Sequence, residues 1–130
     1  MQGKPICTIV VPELPPRPGK AHTMAIFRAK ARWECEIYYQ AYAQGWREPR
    51  TPVARRRRVE IVFQRPGPVS DLDNAYAAAK VPLDATVRAG LLKDDSPRWC
   101  DLHVTTVSGK PTQTTITVWD ADDDDSAAAA

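Results

Sequence analysis

The chain predicts an α+β fold: a mostly antiparallel sheet with helices packed against it, in the order β-α-β-α-β-β. Three observations predict this. Short runs rich in β-branched residues occur at 6–11, 58–63, 99–107 and 112–119. Two longer stretches, 30–44 and 74–89, have helical spacing or an alanine-rich composition. Proline and glycine clusters separate these segments.

Ile6 to Val11 is apolar and β-branched, which predicts a buried strand that Pro12 stops. Pro15, Pro16, Pro18 and Gly19 make a loop. Met24 to Phe27 reads as a short strand or irregular segment. From Lys30 to Gln44, Trp33, Ile37, Tyr38 and Ala41 recur at spacings of three and four, an amphipathic helix ended by Gly45. Trp46 to Pro52 is a polar loop. Arg58 to Phe63 alternates and then turns apolar, as a strand does, and Pro66-Gly67-Pro68 ends it. Asn74 to Ala89 predicts a helix closed by Gly90. Pro82 lacks an amide proton, so a kink or break is expected near Lys80. Trp99–Val107 and Thr112–Trp119 are strands joined as a hairpin by Ser108-Gly109-Lys110-Pro111.

A length of 130 residues fits one domain, assigned to residues 1–119. Residues 120–130, acidic and then alanine-rich, predict a disordered tail. The formal net charge of +2 hides an asymmetry. Asp120 and Asp122 to Asp125 are five of the 16 acidic residues, so residues 1–119 hold 18 basic and 11 acidic side chains. That balance suits a polyanionic partner. No apolar run reaches the roughly 18 residues of a membrane span, and the first residues lack a signal-peptide core, so a cytoplasmic protein without a membrane partner is expected. Cys7, Cys35 and Cys100 lack zinc-ligand spacing and read as reduced, partly buried apolar residues. His22 and His103 stand alone, and His103 reads as a structural strand residue.

The chemistry concentrates between Ser70 and Ser96. Asp71 and Asp73 lie two residues apart, on one side of an extended segment, with Leu72 directed into the core. Lys80, Asp84 and the pair Asp94-Asp95 follow. Mg²⁺ takes oxygen ligands and keeps several waters, so one to three carboxylates and a substrate phosphate suffice to hold it. Neighbouring residues point apart, so one of Asp94 and Asp95 is expected to reach a metal. Ordinary structural roles compete: Asp73 or Asn74 suits a helix N-cap, and Asp94-Asp95-Ser96-Pro97 suits a turn.

Asp71-Leu-Asp73-Asn74, Lys80, Leu83-Asp84-Ala85, Ala89-Gly90-Leu-Leu and Asp94-Asp95-Ser96 together resemble the signature of RusA-type endonucleases, small Holliday junction resolvases of bacteria and phages. The match is close over about residues 58–107. The resemblance implies a homodimer that binds four-way or other branched DNA and cuts two strands with Mg²⁺ or Mn²⁺, in recombination and repair. It implies a crossover junction endodeoxyribonuclease in the cytoplasm of a bacterial or phage-infected cell. It assigns Asp71, Asp73 and Asp95 as metal ligands and, with Lys80, as catalytic residues. Five residues separate Asn74 from Lys80, more than in some members, and Pro82 follows. Asp84 is left as a helix partner of Lys80 at i, i+4. The alternatives are a non-catalytic branched-DNA-binding module and a metal nuclease for other branched DNA.

Arg55, Arg56, Arg57 and Arg58 lead into the second strand, where alternate side chains face opposite sides. Arg17 and Lys20 lie by the proline-rich loop, with Arg28, Lys30 and Arg32 beyond; Arg65 and Arg98 flank the acidic cluster. Such residues grip phosphates without reading sequence. Phe27 and Trp46 fit core or interface packing better than a wedge into a junction.

Overall fold

The computed structural model describes residues 3–16, 23–47, 55–68 and 72–121. In chain order the elements are β1 (Cys7–Val11), α1 (Thr23–Ala43), β2 (Arg57–Arg65), α2 (Leu72–Ala78), α3 (Lys80–Arg88), β3 (Cys100–Ser108) and β4 (Gln113–Asp120). One four-stranded mixed sheet has the order β1-β4-β2-β3. β4 pairs antiparallel with both β1 and β2, and β2 pairs parallel with β3. The parallel pair follows from the helical crossover between β2 and β3, since parallel neighbours need a long connection.

The expected hairpin between the last two strands does not form. β3 and β4 lie on opposite sides of β2, so the chain at 109–112 steps across the end of β2 rather than folding back on itself. Two strand spacings are about 10 Å, within reach of four extended residues. Gly109 N–H donates to the Arg65 carbonyl at 3.0 Å, and Gln64 Nε2 donates to the Pro111 carbonyl at 2.9 Å. These bonds seat the connection on the strand it crosses.

Alternate residues of each strand form one core face: Cys7, Ile9 and Val11; Val59, Ile61 and Phe63; Cys100 and Val104; Ile116 and Val118. Ala29, Trp33, Ile37 and Ala41 of α1 join them at spacings of four. Helix α1 begins at Thr23, so Met24 to Phe27 form its first turns instead of a strand. Ile26, packed against the core, stands three residues before Ala29 and continues the buried stripe. Phe27 is exposed, whereas Trp46 packs edge-on against Tyr38. The helix stops at Gly45, whose φ of +100° suits a residue without a Cβ. Trp46 N–H then reaches back to the Ala41 carbonyl at 3.0 Å.

Pro82 breaks the second helical region at Ala79. Starting a new helix at Lys80 puts Pro82 in a first turn, where a missing amide proton leaves no helical bond unmade. The ring itself is fully buried. Gly90, at φ +93°, closes α3, and Leu91 and Leu92 then drop into the core. β4 extends to Asp120, so the fold runs one residue further than expected. Residues 122–130 of the expected tail lie outside the described residues. Among the described residues no helix is long and apolar enough to cross a membrane.

Two contacts, from α1 and from the residue just after it, fix the helix to β1. Gln44 exchanges two hydrogen bonds with the Thr8 backbone, donating at 2.7 Å and accepting at 2.8 Å. Gln40 does the same at Val10, donating at 2.7 Å and accepting at 2.8 Å. These amides replace a neighbouring strand along an edge that otherwise invites pairing. Beyond β1, Glu13 Oε1 accepts from the buried Trp33 indole at 2.7 Å and from Arg32 Nη2 at 2.8 Å. Glu13→Ala leaves that indole donor unsatisfied inside the protein. The expected loss is about 2 kcal/mol of stability in denaturant unfolding, with Glu13→Gln losing less because it keeps an acceptor.

Candidate functional site

Helix α3 presents Asp84, Val87 and Arg88 on one face, because residues three and four apart are neighbours on a helix. That face meets α1. Asp84 Oδ2 lies 2.9 Å from Lys30 Nζ, and Arg88 Nε lies 3.9 Å from Glu34 Oε2. The burial of Leu91 and Leu92 brings the chain back beside α3, where Asp94 and Asp95 join the same wall. The result is a cleft of about 200 Å³ lined by Lys30, Asp84, Val87, Arg88, Asp94 and Asp95.

Several expected placements change. Asp84 pairs with Lys30 across the helix interface, not with Lys80 along the helix. Lys80 is the first residue of α3, exposed, and does not line the cleft. Asp94 and Asp95 both line it, and Asp94 Oδ1 accepts from the Asp95 amide at 2.9 Å, as the expected turn does. Asp73 lies inside α2, so it belongs neither to an extended segment nor to an N-cap; Asn74 is likewise past the helix start. Asp71 lies outside the described residues, as do the side chains of Asp73 and Asn74. Among the described residues no three His, Cys, Asp or Glu side chains converge as a metal-binding group. The exposed carboxylates of Asp94 and Asp95 nonetheless match the oxygen preference of Mg²⁺, which needs few protein ligands when water and phosphate complete its shell.

The four arginines at 55–58 divide between tasks. Arg57 shares its side of β2 with Val59, and its side chain is 11% exposed. It donates to the Leu91 carbonyl at 2.6 Å and to Asp120 Oδ1 at 3.2 Å. It therefore serves the fold rather than an open DNA surface. Arg55 meets the other Asp120 oxygen at 3.4 Å and is exposed. Arg56 Nε donates to the Pro97 carbonyl at 3.3 Å. Arg58, on the opposite face, lies over the Trp119 ring at 5.7 Å. Arg65 Nη2 donates to the Pro68 carbonyl at 3.2 Å. Arg17 and Lys20 lie outside the described residues.

Beside the acidic turn, Trp99 has two cations over its ring, Lys93 at 4.3 Å and Arg98 at 5.2 Å. Cys100 and Cys7 are buried, and Cys35 is exposed, against the expectation of partial burial for all three. Burial, then the Asp101 charge, pushes the Cys100 thiol up to about 12, with Asp95 adding to the shift and Arg56 opposing it. Burial pushes Cys7 up to about 11 against the opposing Arg57 charge. Both thiols are protonated at neutral pH and buried in the core. His103 Nε2 lies 3.0 Å from Asp101 Oδ1 within β3, a structural contact.

Sequence reasoning missed two things here: the Lys30–Asp84 pair and the structural role of Arg57. The second was within reach, since Arg57 has the same parity as Val59, Ile61 and Phe63. Comparison with protein-family models, curated proteins and solved structures finds no match to this chain.

Arg57→Ala breaks two charge-assisted bonds at once. It is expected to cost about 2–3 kcal/mol in thermal or denaturant unfolding. Arg55→Ala, at an exposed pair, is expected to cost under about 0.5 kcal/mol.

Proposed function

We propose that this chain is a divalent-metal-dependent endonuclease that cuts branched DNA, a Holliday junction resolvase of the RusA type acting as a homodimer. The observation that carries the reading is the cleft. It gathers Asp84, Arg88, Asp94 and Asp95, from the segment whose order of residues resembles that family, with Lys30 of α1. Two-fold pairing of subunits suits paired nicks in a two-fold junction. The cytoplasm of a bacterial or phage-infected cell is the setting that goes with this reading.

Asp71, Asp73 and Asp95 would hold Mg²⁺, with Mn²⁺ as a substitute. When bound, the ion supplies an activated water and a Lewis acid for phosphodiester hydrolysis. Lys80, exposed at the start of α3, offers its ammonium to charge developing on the phosphate. Asp94 braces Asp95 by accepting a hydrogen bond from its backbone N–H at 2.9 Å. Arg55, Arg56, Arg58 and Arg65, with Arg17 and Lys20, grip the DNA backbone without reading bases. Arg57 is withdrawn from that set because the fold already uses it.

Two observations favour a second reading. Asp94 and Asp95 make an ordinary turn and Asp84 has a lysine partner, as in a branched-DNA-binding module without catalysis. A metal nuclease for flaps or forks is the other alternative, and a panel of branched DNAs separates it.

Asp71→Asn, Asp73→Asn and Asp95→Asn each remove a ligand's charge and keep its shape. Each is expected to abolish junction cleavage in a gel assay while binding survives or tightens. Lys80→Ala is expected to lose about 10²–10³ in cleavage rate, more than it loses in affinity. Near wild-type cutting by any two of the asparagine variants contradicts the reading.

A further inference from the structure

Helix α1 has two apolar faces. Ala29, Trp33, Ile37 and Ala41 form the one that enters the core. Phe27, Ala31, Cys35 and Tyr39 each stand two residues before one of these, about 200° around a helix, so they form a stripe on the opposite face. All four are exposed. Lys30 and Glu34, which meet α3, and Gln40, which meets β1, lie off this stripe. Of the six large apolar side chains exposed among the described residues, four belong to α1. Such a row of exposed apolar groups marks an interaction surface.

We propose that this face of α1 binds the same face of a second copy of the chain, antiparallel, about a two-fold axis level with Trp33. The pattern of the stripe carries the choice of occupant. Its waist is small, Ala31 and Cys35, and large residues flank it, Phe27 and Arg28 before and Tyr38 and Tyr39 after. In the antiparallel pair Ala31 lies opposite Cys35 of the other copy, and this small contact lets the helix axes approach where they cross. Residues 27 and 38 lie about three turns apart, as do 28 and 39, so Phe27 and Tyr38 share one side of the stripe and Arg28 and Tyr39 the other. The two-fold axis keeps like sides together. Phe27 then meets Tyr38 of the other copy as an aromatic pair, and Arg28 meets Tyr39 as a cation–π pair. Tyr38 is already held for that contact, stacked on Tyr42 with ring centroids 6.4 Å apart and edge-on to Trp46 at 5.9 Å.

The area suffices for a dimer. Phe27, Tyr39 and Tyr42 are 56%, 71% and 49% exposed. At about 200 Å² for each aromatic side chain they offer about 350 Å² per copy. With Arg28, Ala31 and Cys35 added, two copies bury about 1,000 Å², the size at which a specific interface begins. The inference goes beyond the endonuclease reading, which asks for a two-fold pair without saying where the copies meet.

Light scattering and sedimentation of the purified chain at micromolar concentration are expected to give twice the 14.5 kDa of one copy. Phe27→Glu and Tyr39→Glu change exposed residues, so both are expected to keep the native circular dichroism. Each alters a two-fold interface twice and is expected to raise the dimer dissociation constant at least about 100-fold. Ala31→Cys is expected to give a covalent dimer under mild oxidation by linking to Cys35 of the other copy, since Cys7 and Cys100 are buried. Cys35→Ser in the same chain is expected to lose most of that product. The cross-link keeps the test decisive should a glutamate variant fold poorly. A monomeric wild type overturns the inference and leaves the stripe to another partner. Dimers that persist in both glutamate variants, or an Ala31→Cys chain that forms no covalent dimer, also overturn it and leave the homodimer to another face. Junction cutting in Mg²⁺ is assayed separately and decides the endonuclease reading, not this one.

Discussion

The Arg57 guanidinium joins three parts of the molecule that the chain leaves far apart. It sits at the first residue of β2, holds the carbonyl of Leu91 just after α3, and reaches Asp120 at the last residue of β4. Its burial makes these charge-assisted bonds matter more than those of an exposed arginine. The turn at Leu91 is where the chain leaves the helices, and Asp94 and Asp95 follow within four residues. Whatever fixes Leu91 therefore fixes the acidic wall of the cleft. The Ala121 amide, bonded to the Arg56 carbonyl at 3.1 Å, closes the same corner.

The rest of the frame serves that corner. β2 is paired on both sides, by β3 and by β4, so its position is over-determined. Gln40 and Gln44 cover the β1 edge, and Glu13 fastens the segment after β1 to Trp33 and Arg32. These contacts set α1 against the sheet. With α1 fixed, Lys30 and Glu34 face Asp84 and Arg88 on α3, and the two ion pairs line up along the helix interface. The cleft is thus built from the turn at Asp94 and Asp95 on one side and the helix pair on the other.

Much of this was legible in local pattern. The core faces of β2 and β4 follow from alternation, the buried stripe of α1 from Trp33, Ile37 and Ala41, and the break near Lys80 from Pro82. What failed was non-local. A four-residue connection after β3 suggested a hairpin, because local pattern carries no information on whether a third strand lies between. The first turns of α1 looked irregular because Met24 and Phe27 are exposed and only Ile26 packs inward. In the site, the acidic residues were visible as a spaced set, and the turn at Asp94 was anticipated. The partner of Asp84 was not, because Lys30 comes from a distant segment that only the packing of α1 on α3 brings near.

The central claim is that the acidic cleft performs metal-dependent cutting of branched DNA. The most direct measurement incubates the purified wild-type chain with an end-labelled four-way junction, with Mg²⁺ and with chelator, and maps the nicks on all four strands. The account predicts nicks only with the metal, paired on two opposing strands at symmetric positions. Junction binding with no nicks in Mg²⁺ or Mn²⁺ would contradict it.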